Sequence, residues 1–523
     1  MEGSGGRSDG WMLQATALAV FSGVLHVLAL PPYSYGWLGF VALVPFLAIL
    51  RFESRFFQRI FLGLVFGLVT VIGTSHWMPK SIAIGNQLAP PVAAALAGLV
   101  TLWFTLAFVA FPPLLQWVEK GRLAGPWAAP IVWVALEALR GVGMPAVEWL
   151  VYAHTQTSHL SVLQWVDVAG APGLSFVLVL MNALLVEVLW PRAGRTRWQP
   201  LLGFSALWVA LLLIGGWRLQ VQERLRLDRE DEWRSVAVAQ LAIPQSERWN
   251  PQAAWPRVDQ ILSVSEEAFA QGVEWVVWPE TAMEVHMDKA SELAHRMQAL
   301  MTARPESELI LGAPRESIEQ GESQFFNSAV VLNQKGRVGG VYDKIMLYPI
   351  TEAAPDGLRW IPGFDQIFDE QMQWAPYTPG ANDQSLLKAA NVPVGVLICS
   401  EGLGASMARR RVDQGAEVLV HMANDAVIPG AMPAAQHFAI VRLRAIELRR
   451  PLLRASNWGE TAIVSASGRI LARQQSTQAG FAAAEILPRR DRTLYAAGGW
   501  LLPWFCGGLT LMGGFWPQHR KRA

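Results

Sequence analysis

Long apolar runs almost free of charge constrain this chain more than any other feature. A helix that crosses a bilayer needs roughly 20 apolar residues, at about 1.5 Å of rise each. The candidate runs are Met12–Leu30, Tyr35–Leu50, Ile60–Trp77, Val92–Trp117, Trp127–Leu139, Leu174–Trp190, Leu201–Trp217 and Leu494–Trp516. Met12–Leu30 reads as a span and not as the core of a signal peptide, because no small-residue cleavage site follows it and further runs do. Charged residues make up 16% of the 523 and hydrophobic ones 52%, whereas a soluble globular chain carries about 25% charged residues. Trp occurs 24 times, and its part-polar ring favours membrane–water interfaces. The 43 Lys and Arg offset 42 Asp and Glu to a net charge of +1, without the basic excess of a nucleic-acid binder.

Charge in the short loops gives an expected orientation. With the N-terminus in the cytoplasm and the spans alternating, the inside loops carry Arg51, Arg55 and Arg59; Lys120 and Arg122; Arg192, Arg195 and Arg197; and the tail Arg520, Lys521 and Arg522. The outside loops carry only Lys80 and Arg140. This is the positive-inside bias. It assigns residues 1–220 to a membrane domain with seven transmembrane helices and 221–490 to a catalytic domain in a periplasm-like compartment. Residues 491–523 then supply a last span and a basic cytoplasmic tail. The stretch Arg218–Arg234 is rich in charge and reads as the link from membrane to domain.

Within the polar region, short Val/Ile/Leu-rich runs read as strands covered on both faces. They are Val236–Gln240, Val273–Trp278, Leu309–Gly312, Ser328–Leu332, Val392–Ile398, Glu417–His421, Leu452–Ala455 and Thr461–Ser465. Trp255–Ala270 and Ala434–Arg449 have helical spacing. Strands mixed with helices predict a layered α/β domain. Three chemically distinct residues stand at strand ends: Glu280 after Val276-Val277-Trp278-Pro279, Lys344 after Val341-Tyr342-Asp343, and Cys399 after Val394–Ile398. Strand ends in α/β sheets are where reacting groups converge. Taken singly, each has an ordinary reading: a packed thiol, a turn carboxylate, a solvated lysine. Only two cysteines occur, Cys399 and Cys506, so no disulfide scaffold is expected, and Cys506 lies inside the last apolar run, where packing is its expected role.

The strings Trp278-Pro279-Glu280-Thr281, Tyr342-Asp343-Lys344 and Leu397-Ile398-Cys399-Ser400-Glu401, with Asn327-Ser328-Ala329-Val330-Val331 before the lysine, resemble the nitrilase superfamily. Its catalytic positions are a Glu, a Lys and a Cys in this order. With apolar spans on both sides, the chain resembles the membrane-embedded branch of that superfamily, the apolipoprotein N-acyltransferases. Further strings carry this likeness: Pro31-Pro32-Tyr33, Phe40–Phe46, Glu137–Gly141, Ile243–Ser246 leading to Trp249, and Arg442–Arg454 running into Ala455-Ser456-Asn457. The resemblance implies an αββα sandwich, catalysis by Glu280, Lys344 and Cys399, and transfer of a phospholipid sn-1 acyl chain through a Cys thioester. The acceptor it implies is the N-terminal amine of a diacylglyceryl-cysteine apolipoprotein. It also implies support from Glu352 and Glu401, and from Trp249 near a lipid cleft. Ser400, in the place of the family's usual Tyr, is counted with these supporting positions. A second departure is Pro349-Ile350-Thr351-Glu352-Ala353, where the family reads like Pro-Phe-Gly-Glu-Tyr, and a third is Asn424-Asp425-Ala426-Val427, where the family has an aromatic after Asn-Asp.

The chemistry is consistent with those residues on its own terms. A thiol is a poor nucleophile until it loses its proton, and none of the nine His stands in a pattern that pairs it with Cys399. A carboxylate takes the role of base when it is within hydrogen-bond reach, which makes Glu280 the candidate. Lys344 and backbone N–H groups after Cys399 are candidates to stabilise a tetrahedral oxyanion. No His/Cys/Asp cluster has metal-ligand spacing and no phosphate loop or dinucleotide fingerprint stands out, so neither metal nor cofactor is expected. Expected partners are a phospholipid donor, a diacylated apolipoprotein acceptor and membrane lipids, with no nucleic acid, and the chain is expected to act as a monomer. Two other readings remain open at this level: a membrane-tethered nitrilase-type amidase or hydrolase, and a non-catalytic membrane binding or transport protein. Glu137 and Arg140 have the spacing of a helical ion pair, and Glu187 lies at a span end.

Overall fold

The computed structural model describes residues 5–86, 88–121, 125–141, 148–192, 194, 196–248, 250–283, 291–304, 306–319, 321–348, 352–353, 377–427, 430–475 and 477–513. Trp249, Arg122, Arg195, residues 349–351 and the tail from 514 onward lie outside them.

The polar half is built on two six-stranded sheets. The strands in chain order are β1 Arg234–Gln240, β2 Trp275–Val277, β3 Glu308–Glu319, β4 Glu322–Leu332, β5 Val338–Asp343, β6 Leu387–Ala389, β7 Val392–Ile398, β8 Val418–Ala423, β9 Leu452–Ser456, β10 Thr461–Val464, β11 Ile470–Gln474 and β12 Gly480–Ile486. The first sheet runs β12-β1-β2-β3-β4-β5 and the second β11-β10-β9-β8-β7-β6. β1, β2 and β3 are parallel, as are β7, β8 and β9. Parallel neighbours need a crossover, usually a helix. The helices Ala254–Ala270, Ser291–Thr302, Ala405–Asp413 and Ala431–Leu448 supply the four.

Strand alternation sorts the side chains into layers. Trp275 and Val277 of β2 face Val394, Val396 and Ile398 of β7 in the core between the sheets. Val276 and Trp278 point the other way, into a cluster with Val258, Ile261 and Met297 from the two helices over the first sheet. Leu397, Leu419 and Leu452 point outward from the second sheet onto Val441, Ala445 and Leu448. The result is the four-layer αββα sandwich.

In the membrane half, five helices among the described residues are long and apolar enough to cross a bilayer: Gly10–Ala29 within Gly5–Ala29, Phe56–Ser75, Pro90–Lys120, Val166–Leu189 and Trp198–Leu227. The other three apolar runs form shorter helices, each with a local reason. Tyr35–Leu50 divides into a 3-10 turn, Gly36–Phe40, and a helix, Val44–Phe52, with Pro45 in its first turn. Trp127–Leu139 forms Ala128–Arg140. Leu494–Trp516 is broken at Gly498 and Gly499 before Leu502–Gly513, where Cys506 packs on Ile131 and Val134. The Arg218–Arg234 link is helical as far as Leu227, because its Arg, Leu, Gln and Glu are good helix formers. Glu187 pairs with Arg51 at 3.1 Å and Arg192 at 2.8 Å, while Glu137 sits 3.9 Å from Arg140.

The Ala431–Leu448 helix joins the halves. One face packs under the second sheet, and Ile440, Leu443 and Ile446 enter the membrane-side core with Val162 and Val166. Polar ties reinforce the joint. Arg449 donates to Asp167 Oδ2 at 2.6 and 2.9 Å and to Gln164 Oε1 at 2.8 Å. The Ala171 N–H donates to Glu447 at 2.8 Å, and Arg444 donates to Glu148 at 3.0 Å.

Candidate active site

Glu280, Lys344 and Cys399 each follow the C-terminal end of a strand: β2, β5 and β7. Gly312 of β3 lets the turn carrying Glu280 pass close by. A Cβ there would lie 2.4 Å from the Pro279 carbonyl oxygen and 2.9 Å from Glu280 Cα. The Lys344 N–H donates to the Asn327 carbonyl at 2.8 Å, so β4 sets the height of the lysine.

The side chains form a buried cluster of two carboxyls around one ammonium. Lys344 is 1% exposed, Glu280 8% and Glu352 7%. Lys344 Nζ is 2.7 Å from Glu352 Oε2 and 3.5 Å from Glu280 Oε1. The Asn327 amide donates to Glu280 Oε1 at 2.8 Å and to Glu352 Oε1 at 2.9 Å. Glu352 also accepts from the Tyr348 N–H at 2.7 Å. Burial opposes the Lys344 ammonium, but the charges of Glu352 and Glu280 outweigh it and hold Lys344 well above the ordinary lysine range. The group is therefore an ammonium at neutral pH.

Cys399 is half-buried, with a left-handed backbone at φ 50°. Burial first, and the charge of Glu280 second, push its thiol well above the ordinary range, with Lys344 pulling the other way. Lys344 contacts both Glu280 and Glu352, and the charges of all three bear on the Cys399 thiol. A neutral resting thiol beside a carboxylate is the arrangement in which general-base activation is needed.

Glu401 fastens the turn that carries Cys399 to the turn that carries Lys344. One oxygen accepts from Tyr342 Oη at 2.7 Å and from the Ile345 and Met346 N–H groups at 2.8 and 3.2 Å, and the other accepts from the Ile398 N–H at 2.8 Å. Ser400 Oγ donates to the Met346 carbonyl at 3.1 Å, so its hydroxyl also ties the two turns. Burial raises the Glu401 carboxyl, against these donors. Asn327 had no role assigned from the sequence, although it opens one of the strings that carried the resemblance. A second buried group was not foreseen at all: His421, Asp425, His437 and Arg454, on β8, the turn after it, the Ala431–Leu448 helix and β9. Among the described residues no group of His, Cys, Asp and Glu is arranged to hold a metal ion.

Residues 22–184 match the family model described as the apolipoprotein N-acyltransferase N-terminal domain, and residues 235–492 match that of carbon-nitrogen hydrolase. A Pseudomonas syringae pv. tomato protein named apolipoprotein N-acyltransferase is 30% identical over 499 residues, covering 93% of this chain and 93% of that one. A Geobacter metallireducens protein of the same name is 27% identical over 492 residues, covering 94% of this chain and 92% of that one. Among solved structures, an amidase of the nitrilase superfamily from Nesterenkonia AN1 is 18% identical with a TM-score of 0.38, over 50% of this chain and 93% of that one. Bacterial relatives and five helices long and apolar enough to span a bilayer make this a bacterial membrane protein. With both halves matched in order, and 30% identity sustained over 93% of the length, the chain belongs to the apolipoprotein N-acyltransferase family.

Proposed function

We propose that this protein moves the sn-1 acyl chain of a phospholipid onto the N-terminal amine of a diacylglyceryl-cysteine apolipoprotein, through a thioester on Cys399. One observation carries the reading: a half-buried thiol, a carboxyl and an ammonium held between two carboxyls stand at the ends of β7, β2 and β5. Glu280 takes the thiol proton as Sγ attacks the ester carbonyl. Lys344 and backbone N–H groups after Cys399 stabilise the oxyanion. The intermediate collapses, the carbon–oxygen bond breaks, and Glu280 delivers the proton to the departing alcohol. The acceptor amine then attacks the thioester, the carbon–sulfur bond breaks, and the amine's proton returns through Glu280 to the sulfur. Glu352 holds Lys344, Glu401 and Ser400 hold the two turns, and Trp249 is assigned to the lipid cleft.

The loop-charge bias supports a catalytic domain on the periplasmic side of the inner membrane, where both lipid-anchored substrates reach it sideways along the bilayer. Anchoring raises their effective concentration. No cofactor enters this scheme, and a monomer suffices for it.

Intact-mass analysis of the purified protein after incubation with a phospholipid labelled in its sn-1 chain tests the scheme. The expected result is a mass gain of one labelled acyl chain, absent in Cys399→Ala, that passes to the amine of an added diacylated lipopeptide. Free fatty acid with no acylated peptide would instead identify a hydrolase, and an adduct that survives Cys399→Ala would remove the nucleophile assignment.

A further inference from the structure

His421 has no part in this acyl-transfer chemistry, yet it is fully buried and touches the nucleophile's own backbone. Its Nε2–H donates to the Cys399 carbonyl at 2.9 Å. Its Nδ1 accepts from Arg454 Nη1 at 2.7 Å, which fixes the tautomer with the proton on Nε2. Arg454 is in turn held by Asp425 at 2.6 Å, and Asp425 pairs with His437 Nδ1 at 2.8 Å. The turn is built around this ring. Gly402 is not in the left-handed region, but a Cβ on it would lie 2.5 Å from His421 Cδ2 and 2.6 Å from Nε2. Glycine is the residue that leaves the ring its place.

The consequence comes from peptide geometry. In a trans peptide the carbonyl and the next N–H point to opposite sides of the plane. A Cys399 carbonyl drawn back by His421 turns the Ser400 N–H the other way. Cys399 also sits at φ 50°, a strained conformation that persists only where its surroundings over-determine it. We infer that His421 is a positioning residue: by holding the Cys399 carbonyl it aims the Ser400 N–H as an oxyanion donor for the acyl-transfer step. This rests on the reading of Cys399 as nucleophile. His421 itself exchanges no proton with substrate. Arg454, His437, Asp425, Lys344 and Cys399 are the titratable groups that face it. Burial first, then the charges of Arg454 and His437, keep its ring well below the ordinary histidine range and therefore neutral.

The test compares His421→Asn, whose amide can still accept from Arg454 but ends short of the Cys399 carbonyl, with His421→Gln, whose amide nitrogen reaches the Nε2 position. Acyl-enzyme formation from phospholipid is monitored by rapid-quench mass analysis. Alkylation of the Cys399 peptide by iodoacetamide, which builds no oxyanion, is monitored beside it. In His421→Asn, acylation is expected to slow about 100-fold, the loss that a misplaced group gives. The lipid concentration dependence and the alkylation rate are expected to stay as in the wild type. His421→Gln regains most of the loss and keeps the wild-type pH profile. Acylation and alkylation falling together would make His421 merely structural and overturn the inference. So would unchanged acylation in His421→Asn. If His421→Asn folds poorly, His421→Gln decides alone: near-wild-type acylation supports the inference and a 10-fold loss overturns it. Wild-type protein that takes up no acyl chain at Cys399 overturns the catalytic reading and this inference together.

Discussion

At Cys399 the local environment works against ionisation: burial and the Glu280 charge both favour the thiol. Alkylation of Cys399 by iodoacetamide is therefore expected to be slow at neutral pH and to rise only above the ordinary thiol value of about 8.5. Glu280→Gln removes the opposing charge, so the alkylation midpoint moves down. Acyl transfer in the same variant falls by about 10²- to 10⁴-fold, the usual size of a lost general base. Faster alkylation at a fixed pH together with slower acyl transfer separates a base from a mere spacer. Stability obeys the same sign. Cys399 and Lys344 both hold their protons more tightly folded than unfolded. Their contribution is complete below the unfolded thiol's value and is lost as pH rises through the raised folded values. The thermal midpoint in detergent is expected to fall as pH is raised above about 8.5, and to fall less in Cys399→Ala.

Among the elements, β3 carries a constraint that no motif advertises. Gly312→Ala would drive a methyl into the Pro279 carbonyl and the Glu280 backbone. The expected outcome is a loss of about 100-fold in kcat, as a misplaced catalytic group gives, with a stability cost of about 1–3 kcal/mol from overpacking, read by initial rates and thermal unfolding. The sequence made β7 legible to the residue, and β1, β2, β8, β9 and β10 nearly so, because continuous Val/Ile/Leu runs mark strands covered on both faces. It showed only the end of β5, Val341-Tyr342-Asp343, because the Val338-Gly339-Gly340 start looks like a turn, and it hid β12, whose Gly480–Ile486 run has three alanines in seven residues. Both gain their strand character from neighbours, β4 and β1, that supply the hydrogen-bonding partners. The site was legible in part for the same reason. Glu280, Lys344 and Cys399 announce themselves at strand ends, whereas Asn327 and His421 each make two hydrogen bonds to residues far apart in sequence.

For the molecule as a whole, the two halves are fastened through buried charge as well as apolar packing. Asp167 accepts from both Arg449 and Arg218. Asp167→Asn leaves two guanidiniums without their counter-charge, and removing one partner of such a buried pair costs about 3–5 kcal/mol. The expected result is a lower thermal midpoint and easier proteolytic separation of the polar half, with the Cys399 alkylation midpoint unchanged, since Asp167 belongs to the joint and not to the site.

The helix Trp198–Leu227 has 30 residues, about 45 Å of rise, against a hydrocarbon layer of about 30 Å. Its charged last third, from Arg218 onward, therefore projects about 15 Å clear of the lipid before the chain enters β1. It works as a fixed spacer: the distance from lipid headgroups to the first strand is set by how many residues stay helical. Each residue added or removed there would turn the exit of the helix toward β1 by about 100°, a mismatch set against the joint that Arg449 and Asp167 hold, so the length of this strut is matched to that joint.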